Sequence, residues 1–95
     1  MNKKIIEIDK LKEKLITTRG KIVLTHGVFD LFHIGHLKHL KEAKKYGALL
    51  IVSLTRDKNV MKGPDRPYYN EKLRAEMIAT LEFVDYVTFS NSKSA

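Results

Sequence analysis

Two histidines three positions apart, His33 and His36, flank Gly35 in the segment HGVFDLFHIGHL, which spans residues 26–37. Histidines at this spacing can ligate a metal, bind a phosphate through imidazole N–H groups, or lie as ordinary polar residues on a surface. The chain has no cysteine and no His-Glu-x-x-His pattern, and Asp30 is the only carboxylate in the segment. We therefore predict no metal site.

The phosphate interpretation depends on the position of these histidines at the start of a predicted helix. Free N–H groups and the positive end of the helix dipole favour anions there, and Gly35 permits close approach of a ligand. The sequence contains neither a Walker phosphate loop nor the three-glycine Rossmann fingerprint, so histidine side chains must take over part of the binding. We interpret His26 and His39 as ordinary polar residues.

The elements that must position this segment follow from hydrophobic periodicity. Strands that alternate with helices predict a parallel sheet covered on both faces, with ligands bound beyond the carboxyl ends of the strands. A single domain over 1–95 is expected. The predicted order is a helix over 8–18 with Asp9 as N-cap, a strand over Lys21–Thr25 buried on both faces, a helix through Leu37, Leu40 and Ala43 with Gly47 as C-cap, a buried strand over Leu49–Leu54, a helix that Asn70 caps, a strand over Tyr86–Phe89, and a flexible tail over 90–95.

The composition favours anionic partners but does not identify which kind of anion the protein binds. The 18 basic residues against 11 acidic ones give a formal net charge of +7, which favours a phosphate-bearing or otherwise anionic partner. Nucleic acid is not predicted, because no basic stripe is interleaved with aromatic residues. No signal peptide and no membrane-length apolar run is visible, so we expect a cytoplasmic protein with no membrane partner.

Residues 27–36, GVFDLFHIGH, closely resemble the G-x-F-D-x-x-H-x-G-H signature of the cytidylyltransferase-like nucleotidylyltransferases. The segments MKGPDRP and FVDYV and the helix that contains Arg74 extend the resemblance from about Lys3 to Phe89. This frame is most similar to the sugar-phosphate branch of the family, which includes the nucleotidylyltransferase domain of ADP-heptose synthase. The resemblance implies a Rossmann-like (HUP-type) three-layer α/β/α sandwich with a parallel sheet.

The resemblance also implies a reaction and a site. A nucleoside monophosphate passes from ATP or CTP to a sugar phosphate or a similar phosphorylated substrate, and pyrophosphate leaves; Mg²⁺ accompanies the triphosphate. His33 and His36 are expected to contact the triphosphate and stabilise the transition state, with Lys62 closing over the phosphates. The other residues expected at the nucleotide are Gly27, Val28, Phe29, Asp30, Gly35, Arg66 and Arg74.

Several of these residues have a simpler interpretation. Arg74 could pair with Glu71 one turn earlier, Lys62 could be a solvated lysine, and Asp30 could cap the helix that follows it. Asp85, in FVDYV, is predicted to be structural.

The sequence departs from the family pattern at its far end. Relatives carry a late Ser-Thr-rich segment, like G-x-S-T-T, that binds the nucleotide, and SNSKSA stands at residues 90–95 instead. We therefore expect a C-terminally truncated, incomplete version of the family fold. The alternative function is a catalytically incomplete nucleotide-binding or assembly module. An incomplete parallel sheet leaves an exposed edge strand, which predicts a homodimer or higher oligomer.

Overall fold

The computed structural model describes residues 2–30, 33–60 and 69–90. Three parallel strands form one open sheet in the order β1-β2-β3. The predicted alternation of helices and strands is confirmed. The elements are α1 (Ile8–Leu15), β1 (Ile22–Gly27), α2 (Ile34–Lys44), β2 (Leu49–Thr55), a 3₁₀ turn (Asp57–Asn59), α3 (Glu71–Ala79) and β3 (Tyr86–Ser90).

The helices lie on the two faces of the sheet because of the handedness of the connections. Crossovers from β1 to β2 and from β2 to β3 run in the same direction along the sheet, so α2 and α3 share one face. The backbone of residues 4–6 adds a short parallel bridge at the outer edge of β3, through Ile5 and Val87. The connection from there to β1 runs in the opposite direction, which places α1 on the other face.

The hydrophobic core lies between the sheet and the face that carries α2 and α3. Val52 is at its centre, since its register partners are Thr25 on β1 and Val87 on β3. Asp85 ties the ends of two elements together: its Oδ2 accepts from Lys44 Nζ and from the backbone N–H of Leu50, each at 2.7 Å. The buried residues of the core cluster are Phe29, Leu40, Leu50, Val52, Leu54, Ala75, Ile78, Ala79, Val84 and Val87.

The prediction that β1 is buried on both faces is wrong. Exposed and half-buried residues alternate along the strand, and Ile22 and Leu24 keep 40% and 65% of their surface accessible. The reason is the position of α1, which packs against β3 and leaves the same face of β1 uncovered. The apolar run therefore predicted correctly that this segment is a strand, but its burial on both faces was predicted wrongly.

Two of the predicted helix ends also differ. The N-cap position of α1 is Glu7, and Asp9 lies inside the first turn, where a carboxylate interacts favourably with the helix dipole. The helix ends at Leu15, three residues before the predicted end at residue 18. Asn70 is confirmed as the N-cap of α3, since its side chain accepts from the backbone N–H of Leu73 at 2.8 Å.

Gly47 has a different role from the predicted C-cap. The cap of α2 is Lys45, in ordinary right-handed conformation, and Gly47 follows in the turn that leads to β2. A Cβ at Gly47 would lie 2.7 Å from the carbonyl oxygen of Lys21. The glycine is therefore required by the close approach of this turn to the start of β1.

Candidate functional site

The turn that follows β1 is buried and tightly folded. Val28, Phe29 and Asp30 keep less than a tenth of their surface exposed, although they leave a strand end where loops are usually solvated. Phe29 has φ +52°, in the left-handed region that non-glycine residues rarely adopt. Its ring folds back over Gly27, where a Cβ would lie only 2.9 Å from Phe29 Cε2. Gly27 is therefore needed for the fold of this turn.

The side chains of His33 and His36 both accept backbone N–H groups at the start of α2. His33 is the N-cap residue, and its Nδ1 accepts from the backbone N–H of Gly35 at 3.0 Å. The backbone N–H of His33 in turn donates to His36 Nδ1 at 3.3 Å. This is the reciprocal arrangement of a capping box, with imidazoles in place of the usual hydroxyl and carboxylate.

The capping bonds determine which imidazole nitrogen carries the proton. A neutral imidazole has one acceptor and one N–H donor. Because Nδ1 of both His33 and His36 accepts a backbone N–H, the proton of each neutral ring lies on Nε2. The centroids of the two rings lie 4.0 Å apart, and their planes are tilted by 33°. Two Nε2–H donors side by side at a helix N-terminus form an arrangement suited to oxygen atoms of a phosphate.

Gly35 is required by the side chain before it. A Cβ at this position would lie 2.7 Å from His33 Cε1 and 3.0 Å from its Nδ1. Any side chain at residue 35 would therefore displace the His33 ring from its capping position. The edge contact of Phe29 with His36, with ring centroids 5.4 Å apart and planes at 77°, fixes the second ring from the core side.

Asp30 connects the turn to α3 instead of capping α2. Its Oδ1 accepts from the backbone N–H of Tyr69 at 2.9 Å, just before the N-cap of α3. The N-cap of α2 is His33, so the capping role considered for Asp30 is wrong. Asp30 is 4% exposed and Tyr69 is 42% exposed, so the bond is a partly buried link between two loops.

Arg74 is completely buried, which is unusual for an arginine. Its Nε donates to the carbonyl of Tyr69 at 3.0 Å, and one terminal nitrogen donates to the carbonyl of Val28 at 2.9 Å. The other terminal nitrogen donates to Asp57 Oδ1 at 2.6 Å. The alternative pairing of Arg74 with Glu71 is wrong, because Glu71 pairs with Arg56 at 3.0 Å.

Asp57 and Tyr69 are members of this site that the sequence interpretation missed. The sequence did carry a signal for Asp57, a carboxylate two residues after the buried strand β2, at the sheet edge where the histidines also lie. Tyr69 takes part through its backbone alone, which no side-chain pattern can reveal. Lys62 and Arg66, predicted as phosphate-binding cations, lie outside the described residues.

His26 contacts β2, and the cleft beside the N-terminal segment is lined by residues other than the capping pair. His26 hydrogen-bonds to Ser53 Oγ at 3.1 Å and to Thr55 Oγ1 at 3.4 Å, both on β2. Over residues 2–30, 33–60 and 69–90, no group of three or more metal-ligating side chains comes together. A cleft of about 250 Å³ opens between the N-terminal segment, α3 and Phe89, and none of its lining residues is a histidine.

Comparison with known proteins assigns the family. The sequence model of the cytidylyltransferase-like proteins matches residues 24–93, which include the whole turn and the capping pair. The chain belongs to the cytidylyltransferase-like family. The lipopolysaccharide core biosynthesis protein from Thermoplasma volcanium GSS1 has a similar structure, with a TM-score of 0.66 and 33% sequence identity over 77% of this chain and 60% of its own. The fold is accordingly Rossmann-like, with the predicted parallel sheet.

The curated relatives of this cytidylyltransferase-like chain include several proteins named bifunctional protein HldE. The one from Aliarcobacter butzleri (strain RM4018) is 48% identical over 83 residues, which cover 85% of this chain and 17% of the relative. The one from Helicobacter pylori (strain G27) is 48% identical over 86 residues, 88% of this chain and 19% of the relative. The chain thus spans less than a fifth of the length of these relatives. No helix in the described part of the chain is long and apolar enough to cross a bilayer.

Proposed function

We propose that this chain carries the triphosphate-binding end of a nucleotidylyltransferase site. The reaction transfers a nucleoside monophosphate from ATP or CTP to a phosphorylated small molecule, with a sugar phosphate as the preferred class, and releases pyrophosphate. The observation that carries the proposal is the His33–His36 capping pair, which directs two Nε2–H donors from the start of α2 inside the family signature.

The chemistry needs positioning and charge neutralisation more than covalent participation of the protein. A phosphate oxygen of the substrate attacks the α-phosphorus in line, and the bond to the pyrophosphate leaving group breaks. His33 and His36 donate to the triphosphate oxygens and stabilise the charge that develops on them. The backbone of Gly27, Val28 and Phe29 lines the nucleotide cleft.

The other predicted residues act around this centre. Gly35 lets both the His33 ring and the ligand approach the helix start. Asp30 orients the site through its bond to the backbone of Tyr69. Lys62 and Arg66 supply cations that close over the phosphates, since a triphosphate carries more negative charge than two neutral imidazoles can offset.

Mg²⁺ enters this proposal as part of the metal–triphosphate complex. The two imidazoles face the site as N–H donors, and the nearby carboxylates of Asp30 and Asp57 are engaged by Tyr69 and Arg74. This donor set fits an ion that is held largely by phosphate oxygens and water. When bound, the ion supplies positive charge to the phosphate oxygens.

The test combines nucleotide binding with turnover. Isothermal titration with ATP–Mg²⁺ and with CTP–Mg²⁺ should give saturable binding, and His33→Ala and His36→Ala should each weaken it by about tenfold or more. His39→Ala is the matched control, because His39 is an exposed histidine of the same helix. Pyrophosphate release is then measured with a panel of sugar phosphates.

The outcomes separate the two functions and include one that rejects both. Binding with pyrophosphate release supports the nucleotidylyltransferase. Binding without release supports the alternative, a nucleotide-binding or assembly module of the same fold. The proposal is wrong if neither triphosphate binds, or if both histidine variants bind as the unmodified chain does.

We further propose that two copies of the chain associate through β1. Among the described strands, β1 pairs with β2 along one edge only, and Leu24 is 65% exposed at its centre. Antiparallel pairing of two β1 strands about a two-fold axis at Leu24 would bring the two leucines together and place Lys21 opposite Gly27 of the second copy. Like charges therefore do not face each other in this pairing.

The oligomeric state tests this pairing. Sedimentation equilibrium should give the mass of a dimer, and Leu24→Lys should convert it to the monomer. Leu73→Lys is the control, since Leu73 is 47% exposed on α3, which packs against β2 and β3. A monomeric unmodified chain, or an equal response to both substitutions, would rule out the β1 interface.

A further inference from the structure

The complete burial of Arg74 conflicts with a direct role in holding a ligand. An arginine that binds phosphate must present N–H groups to the cleft, and the side chain of Arg74 has no accessible surface. All three guanidinium nitrogens already donate to protein oxygens. A buried charge is stable only where its hydrogen-bond partners compensate for the loss of water. The partners of Arg74 come from three separate segments, represented by Val28, Asp57 and Tyr69.

One arm of the guanidinium reaches the histidine pair through the turn after β1. The carbonyl of Val28, which accepts from Arg74 at 2.9 Å, belongs to the peptide that precedes Phe29. The left-handed φ of Phe29 costs about 1–2 kcal/mol, so a bond that fixes the preceding peptide holds a conformation that the chain would otherwise leave. The Phe29 ring then contacts His36, whose ring lies against that of His33 with centroids 4.0 Å apart.

The Nε of Arg74 is linked to the same turn through Tyr69 and Asp30, on the C-terminal side of Phe29. The carbonyl of Tyr69 accepts from Arg74 Nε at 3.0 Å, while the N–H of Tyr69 donates to Asp30 at 2.9 Å. Asp30 directly follows Phe29, so the strained residue is held on both sides. The carboxylate of Asp57 supplies the counter-charge at 2.6 Å and anchors the guanidinium to the end of β2.

We propose that Arg74 is a positioning residue of the nucleotide site. It acts through the Val28 and Tyr69 carbonyls to fix the Phe29 turn, and thereby the orientation of the two imidazoles, with Asp57 as its counterion. The proposal rests on the proposed function for its consequence, nucleotide affinity. Its structural part, the orientation of the histidines, can be measured without a nucleotide.

Arg74→Lys and Asp57→Asn are the informative variants, because each keeps a polar side chain in a buried network. Lysine retains the charge but cannot donate to three carbonyl or carboxylate oxygens in a planar fork. Arg19→Lys is the control, since Arg19 is exposed after α1. Nitrogen-15 spectra of the imidazoles report the tautomer of His33 and His36 directly, and titration with ATP–Mg²⁺ reports affinity.

We expect Arg74→Lys to convert the Nε2–H signals of both imidazoles into a mixture of tautomers and to weaken ATP binding by about tenfold to hundredfold. Asp57→Asn should do the same to a smaller extent, and Arg19→Lys should change neither. Altered imidazole spectra in a chain whose unmodified form binds no triphosphate would uphold the positioning role and overturn the proposed function.

Two results would overturn the inference itself. One is weakened binding of ATP by Arg74→Lys with unchanged imidazole spectra, which would make Arg74 a direct ligand. The other is binding and spectra that both remain unchanged. The unmodified chain provides a measurement that does not depend on the folding of any variant: the Arg74 Nε–H signal should exchange slowly with water and keep its position when ATP–Mg²⁺ is added. A fast-exchanging signal that shifts on addition would contradict the proposal.

Discussion

Two arginines lie beyond the carboxyl ends of the strands, and their surroundings differ sharply. Arg74 has no exposed surface and donates to two backbone carbonyls and one carboxylate. The side chain of Arg56 is 21% exposed and pairs with Glu7 at 2.7 Å and Glu71 at 3.0 Å. Its guanidinium also lies 4.9 Å from the centre of the Phe89 ring.

The two arginines carry the same charge, so the difference in their structural roles comes from their partners. Glu7 has a side chain that is 61% exposed, so it can reorient into water when Arg56 is removed. Glu71 is 30% exposed and keeps a second partner, since its Oε1 accepts from the backbone N–H of Asp57 at 3.0 Å. The carbonyls of Val28 and Tyr69 belong to the backbone and have no such freedom. Arg56 therefore joins the N-terminal segment to α3, whereas Arg74 joins the turn after β1 to Tyr69 and to Asp57.

The most direct test of the difference between Arg74 and Arg56 is to replace each arginine. Arg74→Met should lower the free energy of unfolding by about 3–5 kcal/mol, because Asp57 and two carbonyls lose their partner in a buried setting. Arg56→Met should lower it by about 1 kcal/mol or less. Urea denaturation followed by circular dichroism measures both, and equal losses would show that burial does not distinguish the two sites.

Removing the acidic partners should give a smaller difference in the same direction. Asp57→Asn leaves the buried guanidinium without its counter-charge and should cost about 1–3 kcal/mol. Glu71→Gln leaves Arg56 with Glu7 and should cost less than about 1 kcal/mol. The same denaturation experiment applies, and a larger loss for Glu71→Gln would reverse the comparison.

Salt should sharpen the contrast further. At about 1 M NaCl the Debye length falls to about 3 Å, which screens exposed pairs far more than buried ones. The coupling energy of Arg56 with Glu7, from a double-mutant cycle, should fall to near zero. That of Arg74 with Asp57, measured from Arg74→Met and Asp57→Asn, should keep most of its value. Parallel loss of both coupling energies would contradict the assignment.

The smallest expected effect concerns the aromatic partner of Arg56. Phe89→Leu keeps an apolar side chain at the end of β3 but removes the ring face under the guanidinium, which should cost about 0.5–1 kcal/mol. In an Arg56→Met background the electrostatic part of this loss should disappear. A loss that is identical in both backgrounds would leave packing as the only role of Phe89.

Local sequence patterns predicted the order and type of the elements. The apolar run of β2 and the helical spacing of Leu73, Met77 and Ile78 identified elements that the structure confirms. The buried face of α3 differs from that spacing, since Leu73 is 47% exposed and the buried residues are Arg74, Ala75, Ile78 and Ala79. The turn after β1 and the histidines of α2 were located from their residue types and their place after a strand.

The remaining features depend on contacts between distant residues. Arg74 reaches Val28 across 46 positions and Asp57 across 17, so no local pattern could assign its partners. Exposure of Leu24 depends on where α1 crosses the sheet, which periodicity in β1 does not encode. Histidine is also a rare N-cap, so capping preferences did not point to His33.

The short bridge between Ile5 and Val87 has a consequence for the kinetics of folding. Around it, Asn2 and Lys4 donate side-chain hydrogen bonds to the carbonyls of Ala79 and Leu81, each 77 positions away along the chain. Closing so long a loop is entropically costly until β3 and α3 are already in place. The N-terminal residues should therefore dock last during folding, detach first during unfolding, and exchange their amide protons sooner than the amides of β2.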